Sequence, residues 1–377
     1  MGPLMEVVQV AGVYPPHLGG EEAVVEHLAN LQADGHRVTV YTSALGASER
    51  PRVEQRAGRA GRLTVVRQRA TRVANTPLIP GLLVRLVRHA PKPDVVHVHT
   101  GHALIPEIVA LAARLRGLRY IAHQHLMVRP SSRAGRFLLP LYYRLLYASF
   151  LRRADRVICL TEAMRTELTT AFGVDPARIA VVPNGVDLSL YRPGDLPRQP
   201  AELLFVGRLA AQKNVGVLVD AVAALRDRGR RVTVRILGDG EERARLQARA
   251  DRLGLAGFVA FEGRRDAADI AAAYARATAV VLPSTHEGMP LVLLEAMAAG
   301  APVIASGLSE IVEVGADAIV AVDPVTATSL ADAIARVLDD PELRSRLSAA
   351  ARSRAGRYSW ETVAATIDEL YAEVRGR

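Results

Sequence analysis

Residues 202–240 read ELLFVGRLAAQKNVGVLVDAVAALRDRGRRVTVRILGDG. The stretch opens on a short apolar run, Glu202–Val206. It passes through a basic loop into a helical pattern, Val215–Arg228, and ends on a second apolar run, Val232–Leu237. Both short runs are apolar at consecutive positions, the pattern of strands buried on both faces, as in parallel sheets covered by helices. Working outward, similar runs occupy Met5–Val10, Arg37–Thr42, Leu63–Arg67, Asp94–His99, Tyr120–His125, Arg156–Leu160 and Ile179–Pro183. Others follow at Phe258–Phe261, Ala279–Pro283, Pro302–Ala305 and Ala318–Val322. Helical patterns lie between them, among them Glu21–Ala33, Ile105–Leu115 and Glu241–Leu253. The alternation starts, stops and restarts, which predicts two doubly wound α/β domains.

The break is Tyr191–Pro200, YRPGDLPRQP, whose prolines resist helix and sheet and read as a linker. Domains over 1–190 and 191–357 are expected, with a final amphipathic segment in 358–377. The polar stretch Gly46–Arg62 reads as a mobile loop.

The chain has 377 residues, 48 Lys+Arg against 39 Asp+Glu, and a single cysteine. One cysteine excludes a disulfide framework and a Cys-based zinc cluster. No apolar run approaches the roughly 20 residues that span a bilayer. The start lacks a signal-peptide pattern, so a cytoplasmic protein is expected. The net charge of +9 divides unevenly: residues 1–190 hold 24 basic and 14 acidic residues, net +10, and residues 191–377 hold 24 and 25, net −1. Nine of the ten histidines also lie in the first half.

Several motifs carry chemistry. Pro15–Glu22, PPHLGGEE, joins the first strand to the first helix, and its paired Gly19 and Gly20 let backbone approach a ligand. A plain βα turn explains the glycines equally well. Gly238-Asp239-Gly240 has G-x-G, but Arg243 stands where a dinucleotide fingerprint needs glycine, and no P-loop is present. Pro283–Glu295, PSTHEGMPLVLLE, runs from a buried strand into a helix start that exposes backbone N–H groups of 288–291 to an anion. Glu287 and Glu295 flank it, and carboxylates suit ligand hydroxyls. Glu295 interrupts an apolar run, where an unpaired carboxylate is costly. Arg208 and Lys213 follow the strand Glu202–Val206, placed to clamp a diphosphate.

Together these segments resemble the retaining glycosyltransferases of family GT4. The matching stretches are FVGRLAAQKN (205–214), ILGDGEER (236–243), FVAFEGR (258–264), PSTHEGMPLVLLEAMAAGAPVIAS (283–306), VVPNGVDLSLYRPG (181–194) and YSWETVAATIDELY (358–371). The spacing of Glu287 and Glu295 is that family's E-x7-E. The resemblance implies a GT-B fold of two Rossmann-like domains facing an interdomain cleft, acceptor bound by 1–190, donor by 191–357, and a last helix crossing back to the first domain. It implies a hexosyltransferase that moves sugar from a nucleoside-diphosphate sugar to a sugar, lipid-linked, polysaccharide-precursor or other small acceptor. Retention, and no need for a metal or other cofactor, are implied as well. Arg208 and Lys213 match the diphosphate-binding cations, Glu287 the sugar-holding carboxylate, and Glu295 the ribose-holding one. Backbone amides of Gly288, Met289, Pro290 and Leu291 match the phosphate cradle. Arg264 matches the base-reading position, and Gly19 and Gly20 the glycine loop near the reacting centre. Ile304–Ser309 is shorter than the family's glycine loop, and Ala318 replaces a glycine, so donor identity is not carried over. A same-fold nucleotide-sugar epimerase and a non-catalytic sugar-nucleotide or polyanion binder are the rival readings.

His97 and His99 end one strand, His123 and His125 the next, and residues i and i+2 share a face. A metal reading lacks a convincing set of further ligands. By resemblance, His125 is the catalytic histidine pointing at the donor sugar. His99 is expected against the acceptor, and His97 and His123 as packing histidines. Between Glu107 and Asp155 lie nine arginines and six aromatics with no acid, including Phe137, Tyr142, Tyr143, Tyr147 and Phe150. Together with Pro80–His89, that interval suggests peripheral contact with an anionic membrane at the inner face. Packed amphipathic helices are the bland alternative. No zinc-finger, RRM or recognition-helix motif points to specific nucleic acid.

Overall fold

Parallel pairing organises both halves of the chain. The computed structural model describes residues 4–16, 19–45, 50–56, 63–73, 76–89, 91–126, 139–194 and 198–376. Two units emerge: Met1–Asn184 with Trp360–Arg377, and Gly185–Ser359. The proline-rich linker expected at Tyr191–Pro200 falls just inside the second.

Unit 1 holds β1 (Glu6–Val10), β2 (Arg37–Ser43), β3 (Arg52–Arg56), β4 (Leu63–Gln68), β5 (Thr71–Val73), β6 (Thr76–Leu78), β7 (Val95–His99), β8 (Tyr120–Gln124), β9 (Arg156–Cys159) and β10 (Ile179–Val181). Its main sheet runs β10-β9-β8-β7-β1-β2-β4-β3, and β5 and β6 form a separate pair. Every main-sheet pairing is parallel except β3 with β4. Unit 2 holds β11 (Glu202–Val206), β12 (Thr233–Leu237), β13 (Val259–Gly263), β14 (Ala279–Leu282), β15 (Val303–Ser306) and β16 (Ile319–Val322), ordered β13-β12-β11-β14-β15-β16 and all parallel. Strand residues such as Leu203, Phe205, Ile236 and Val281 meet Leu218, Val222 and Ile334 from the helices in one apolar core.

The expected loop Gly46–Arg62 needs correction, because β3 lies inside it. Its sequence, RVEQR, carries no apolar pattern. It is an edge strand whose Val53 is 61% exposed, so backbone pairing with β4 suffices. A buried ion pair helps, the Arg67 side chain donating to Glu54 Oε1 at 2.6 Å. Residues 46–49 and 57–62 of that stretch lie outside the described residues.

The final helix, Trp360–Gly376, belongs to unit 1. It buries Trp360, Val363, Ile367, Tyr371 and Val374 at helical spacing. Trp360 stacks on the His27 ring, centroids 4.8 Å apart, and Arg375 pairs with Asp94 at 3.2 Å.

In each sheet, neighbours of one central strand lead off in opposite directions: β11 between β12 and β14, and β1 between β2 and β7. Loops at the carboxyl ends of such strands diverge and leave a crevice, the usual ligand position in doubly wound sheets. In unit 2 the loop ends are tightly laced. Gly207 N donates to Leu237 O at 3.0 Å, Leu209 N to Asp239 O at 3.0 Å and Gly238 N to Gly263 O at 2.7 Å. A Cβ on Gly238 would lie 2.0 Å from Gly207 O, and its φ is +136°. The G-x-G at 238–240 therefore serves loop-on-loop packing. Gly238→Ala is expected to lower stability by about 1–3 kcal/mol in urea unfolding. Gly35→Ala, where nothing lies within 4 Å, stays within about 0.5 kcal/mol.

Candidate active site

The β11/β14 crevice of unit 2 gathers most of the charged residues singled out above. After β11 the chain makes a 3-10 turn, Ala211–Lys213, and Asn214 takes a left-handed φ of 53° before the helix Val215–Asp227, a conformation Asn tolerates. That turn aims Lys213 at the loop following β14. Its Nζ donates to Glu287 Oε1 at 2.6 Å, with both side chains largely buried. Thr285 N donates to Gln212 O at 2.8 Å and ties the same two loops together.

Beyond Glu287 the chain enters the helix Leu291–Ala298, whose N-cap, Pro290, offers no capping side chain. The first-turn amides of Leu291 and Val292 therefore lack a side-chain partner at the positive end of the helix dipole. Proline has no N–H, so Pro290 drops out of the expected amide cradle and acts as the cap position instead. Gly288 and Met289 are buried in the approach to it. Arg208 is exposed and has no ion-pair partner among the described residues.

On the next turn, Glu295 is partly buried and accepts from Tyr274 Oη at 2.9 Å. Tyr191 stands beside the same carboxylate, its ring edge-on to Tyr274 with centroids 5.9 Å apart. Burial raises the Glu295 pKa against the lowering effect of these two hydroxyls. Arg264 is exposed directly after Gly263, whose φ is +72°.

Unit 1 has its own crevice, between β1 and β7. Gly19, extended at φ −171°, caps the helix Gly20–Gln32. Glu22 folds back over it, so a Cβ at Gly19 would lie 2.2 Å from Glu22 Oε2, whereas Gly20 faces open space. Glu21 packs against Gly101 of the loop after β7, and burial raises its carboxyl pKa to about 8. His17 and Leu18 of this motif lie outside the described residues.

The histidines form one stacked block. His97 and His99 on β7 stack with centroids 4.4 Å apart, and His123 and His125 with centroids 4.2 Å apart. His97 Nε2 lies 3.1 Å from His123 Nδ1, and His99 Nδ1 lies 2.9 Å from His125 Nε2. His97 Nδ1 meets Tyr371 Oη of the final helix at 2.5 Å, and Tyr371 bonds Gln32 Oε1 at 3.2 Å. Burial lowers the pKa of all four, to about 3 for His97 and His125, so the imidazoles are neutral near pH 7. Nitrogens of His97, His99 and His123 lie within 4.8 Å of one another. Two of those nitrogens, His97 Nε2 and His123 Nδ1, already face one another at hydrogen-bond distance.

Residues 192–354 match the family model described as glycosyl transferases group 1, and residues 18–190 match the one described as Glycosyltransferase Family 4. The glycogen synthase of Mycobacterium tuberculosis (strain ATCC 25618 / H37Rv) is 33% identical over 292 residues, 74% of this chain and 69% of its own length. The D-inositol 3-phosphate glycosyltransferase of Nocardioides sp. (strain ATCC BAA-499 / JS614) is 30% identical over 391 residues, 93% of this chain and 84% of its own. The chain belongs to the GT4 glycosyltransferases. Sucrose-phosphate synthase from Thermosynechococcus elongatus superposes with a TM-score of 0.80 at 24% identity, covering 98% of each chain. HepE of Anabaena in complex with UDP-glucose gives 0.79 at 22% identity, covering 98% of this chain and 100% of that one. Both likenesses show the fold, GT-B.

In this glycosyltransferase the structure brings Lys213 to Glu287 and sets Glu295 on the helix between them and Tyr274. His99, expected against an acceptor, is instead 1% exposed with Nδ1 held by His125. Tyr274, Tyr191 and Tyr371 were not found by sequence reasoning. Tyr274 and Tyr371 read as ordinary apolar positions and Tyr191 as the start of the linker, and their polar partners lie on other elements. The neutral histidine block also has a pH signature. Unfolded imidazoles bind protons below about pH 6.5 while the native ones do not, so stability falls as pH drops from 6.5 toward 3. Each withheld proton is worth about 1.4 kcal/mol per pH unit. Urea unfolding between pH 7 and 5 is expected to show this slope, reduced by about one proton in His123→Gln.

Proposed function

We propose that this glycosyltransferase moves a hexosyl group from a nucleoside-diphosphate sugar to an acceptor hydroxyl, with retention at the anomeric carbon and without a bound metal. The observation that carries the reading is the Lys213–Glu287 pair, which joins the loops after β11 and β14 beside the uncapped start of Leu291–Ala298. When the donor's bond to the diphosphate breaks, negative charge builds on the diphosphate. Lys213, Arg208 and the first-turn amides of Leu291 and Val292 are fixed positive groups suited to stabilise it. Glu287 then turns its carboxylate to the sugar hydroxyls, and Glu295, held by Tyr274, to the ribose. Gly288 and Met289 shape the approach to the helix start, and Arg264 stands at the base. His125 of unit 1 is assigned to the donor sugar by family resemblance, with Gly19 and Gly20 near the reacting centre. HepE was crystallised with UDP-glucose, which makes a uridine donor the first to try.

A donor panel read by nucleoside-diphosphate release, with and without sugar, polysaccharide and lipid-linked acceptors, tests this reading. Lys213→Ala and Glu287→Ala are each expected to lower kcat/KM by about two orders of magnitude or more with the native circular-dichroism spectrum retained. Near-normal turnover in both removes the site. Inversion of a sugar centre without an acceptor identifies an epimerase, and binding without turnover identifies a carrier.

We further propose a cytoplasmic enzyme that touches the inner membrane face through unit 1. Leu141, Leu145 and Leu146 are 54%, 60% and 50% exposed around Arg144, while Leu111 and Leu115 are exposed on the helix Ile105–Arg116. Tyr147 and Phe150, by contrast, are core residues, so the aromatics contribute less than the leucines. Phe137 lies outside the described residues. Among the described residues no helix is long and apolar enough to cross a membrane. Co-sedimentation with anionic liposomes at low salt is expected, and its loss in Leu145→Glu; no binding at low salt discards the idea.

A further inference from the structure

The His99–His125 pair is not explained by donor binding alone. Both imidazoles are neutral, so their contact at 2.9 Å shares one proton between His99 Nδ1 and His125 Nε2. Two arrangements satisfy it. In the first, His99 donates from Nδ1, its Nε2 is a bare lone pair, and His125 carries its proton on Nδ1. In the second, His125 donates from Nε2 and His99 carries a proton on Nε2.

Among the described residues, His99 Nε2 is buried without a hydrogen-bond partner. An orphaned buried N–H is among the rarest features of native structures, and an under-used acceptor is better tolerated. The first arrangement is therefore the stable one. The neighbouring pair has the same form, since His123 Nε2 is likewise buried without a partner while His123 Nδ1 meets His97 Nε2. Stacking of His99 on His97, and of His123 on His125, holds both pairs against rotation.

We propose that His99 is a positioning residue for His125: by donating Nδ1–H to His125 Nε2 it locks His125 as the Nδ1–H tautomer, so that His125 offers a ligand a hydrogen-bond donor and not a base. The consequence for catalysis rests on the reading of His125 as the histidine that meets the donor sugar. In that setting the locked ring can donate to a sugar oxygen or to developing negative charge, and it cannot take the acceptor's proton.

The test uses full-length protein labelled with 15N-histidine, His125 being assigned by its loss in His125→Asn. Long-range 1H–15N spectra separate protonated from bare ring nitrogens. Wild-type His125 is expected to show Nδ1 protonated and Nε2 bare. His99→Leu removes the donor and is expected to shift His125 toward the Nε2–H tautomer. His99→Asn, whose amide can donate from nearly the Nδ1 position, is expected to restore the wild-type signature and keeps the test open if the leucine variant folds poorly. Nε2 protonated in the wild type, or a His125 signature unchanged in His99→Leu, overturns the proposal. Turnover separates it from the underlying reading. A tautomer shift with kcat lowered about tenfold or more, and KM for donor little changed, supports both. A tautomer shift with normal kcat upholds the positioning and removes His125 from the reaction.

Discussion

Parallel pairing places the carboxyl ends of all six strands of unit 2 on one side, and everything else in that unit follows from it. At β11 the sheet order reverses, so the loops leaving β11 and β14 cannot cover each other and instead stand as two walls. The Lys213–Glu287 ion pair bridges those walls. Two groups of opposite charge, taken largely out of water, are stable only while they face one another. In the function proposed above, a ligand that enters must satisfy both at once, which selects for a molecule with anionic and hydroxylated parts adjacent. A nucleoside-diphosphate sugar has that makeup.

The same geometry in unit 1 receives different chemistry. There the walls follow β1 and β7, and the groups at hand are a carboxyl kept protonated by burial at Glu21, the Glu22 side chain over Gly19, the buried Arg67 guanidinium donating to Pro15 O, and a stack of uncharged imidazoles.

Most of this was legible in the sequence. Consecutive apolar positions marked the buried strands, since burial on both faces leaves no polar alternation to confuse with a helix. The loops after β11 and β14 stood out because Arg208, Lys213 and Glu287 follow buried strands, and Glu295 because it interrupts an apolar run. Legibility failed where structure depends on long-range partners. β3 has no apolar pattern because one edge and one face meet solvent, and its pairing partner, β4, is set by backbone hydrogen bonds with an added Arg67–Glu54 ion pair. His99 was read as a ligand contact because period-2 placement gives the face of a strand but not what covers it. His125 holds the His99 Nδ1 from just past the neighbouring strand, and the adjoining His97 is met by Tyr371, an unremarkable stripe position on a helix more than two hundred residues away. Pro290 illustrates a smaller gap: a motif transferred as a block can include a residue that lacks the needed atom.

The final helix carries a consequence for how the chain comes to be folded. Residues Trp360–Gly376 complete unit 1, yet the ribosome makes them after all of unit 2. Until they arrive, Gln32 and His97 wait without Tyr371, the apolar stripe from Trp360 to Val374 has no counterpart, and the sheet of unit 1 lies partly uncovered. Domains generally fold as units during synthesis, so unit 2 can finish first although it is made second. The nascent first half must then persist as an incomplete, strongly cationic body for the time taken to translate Gly185–Ser359, a stage at which chaperones or anionic surfaces have the most to hold.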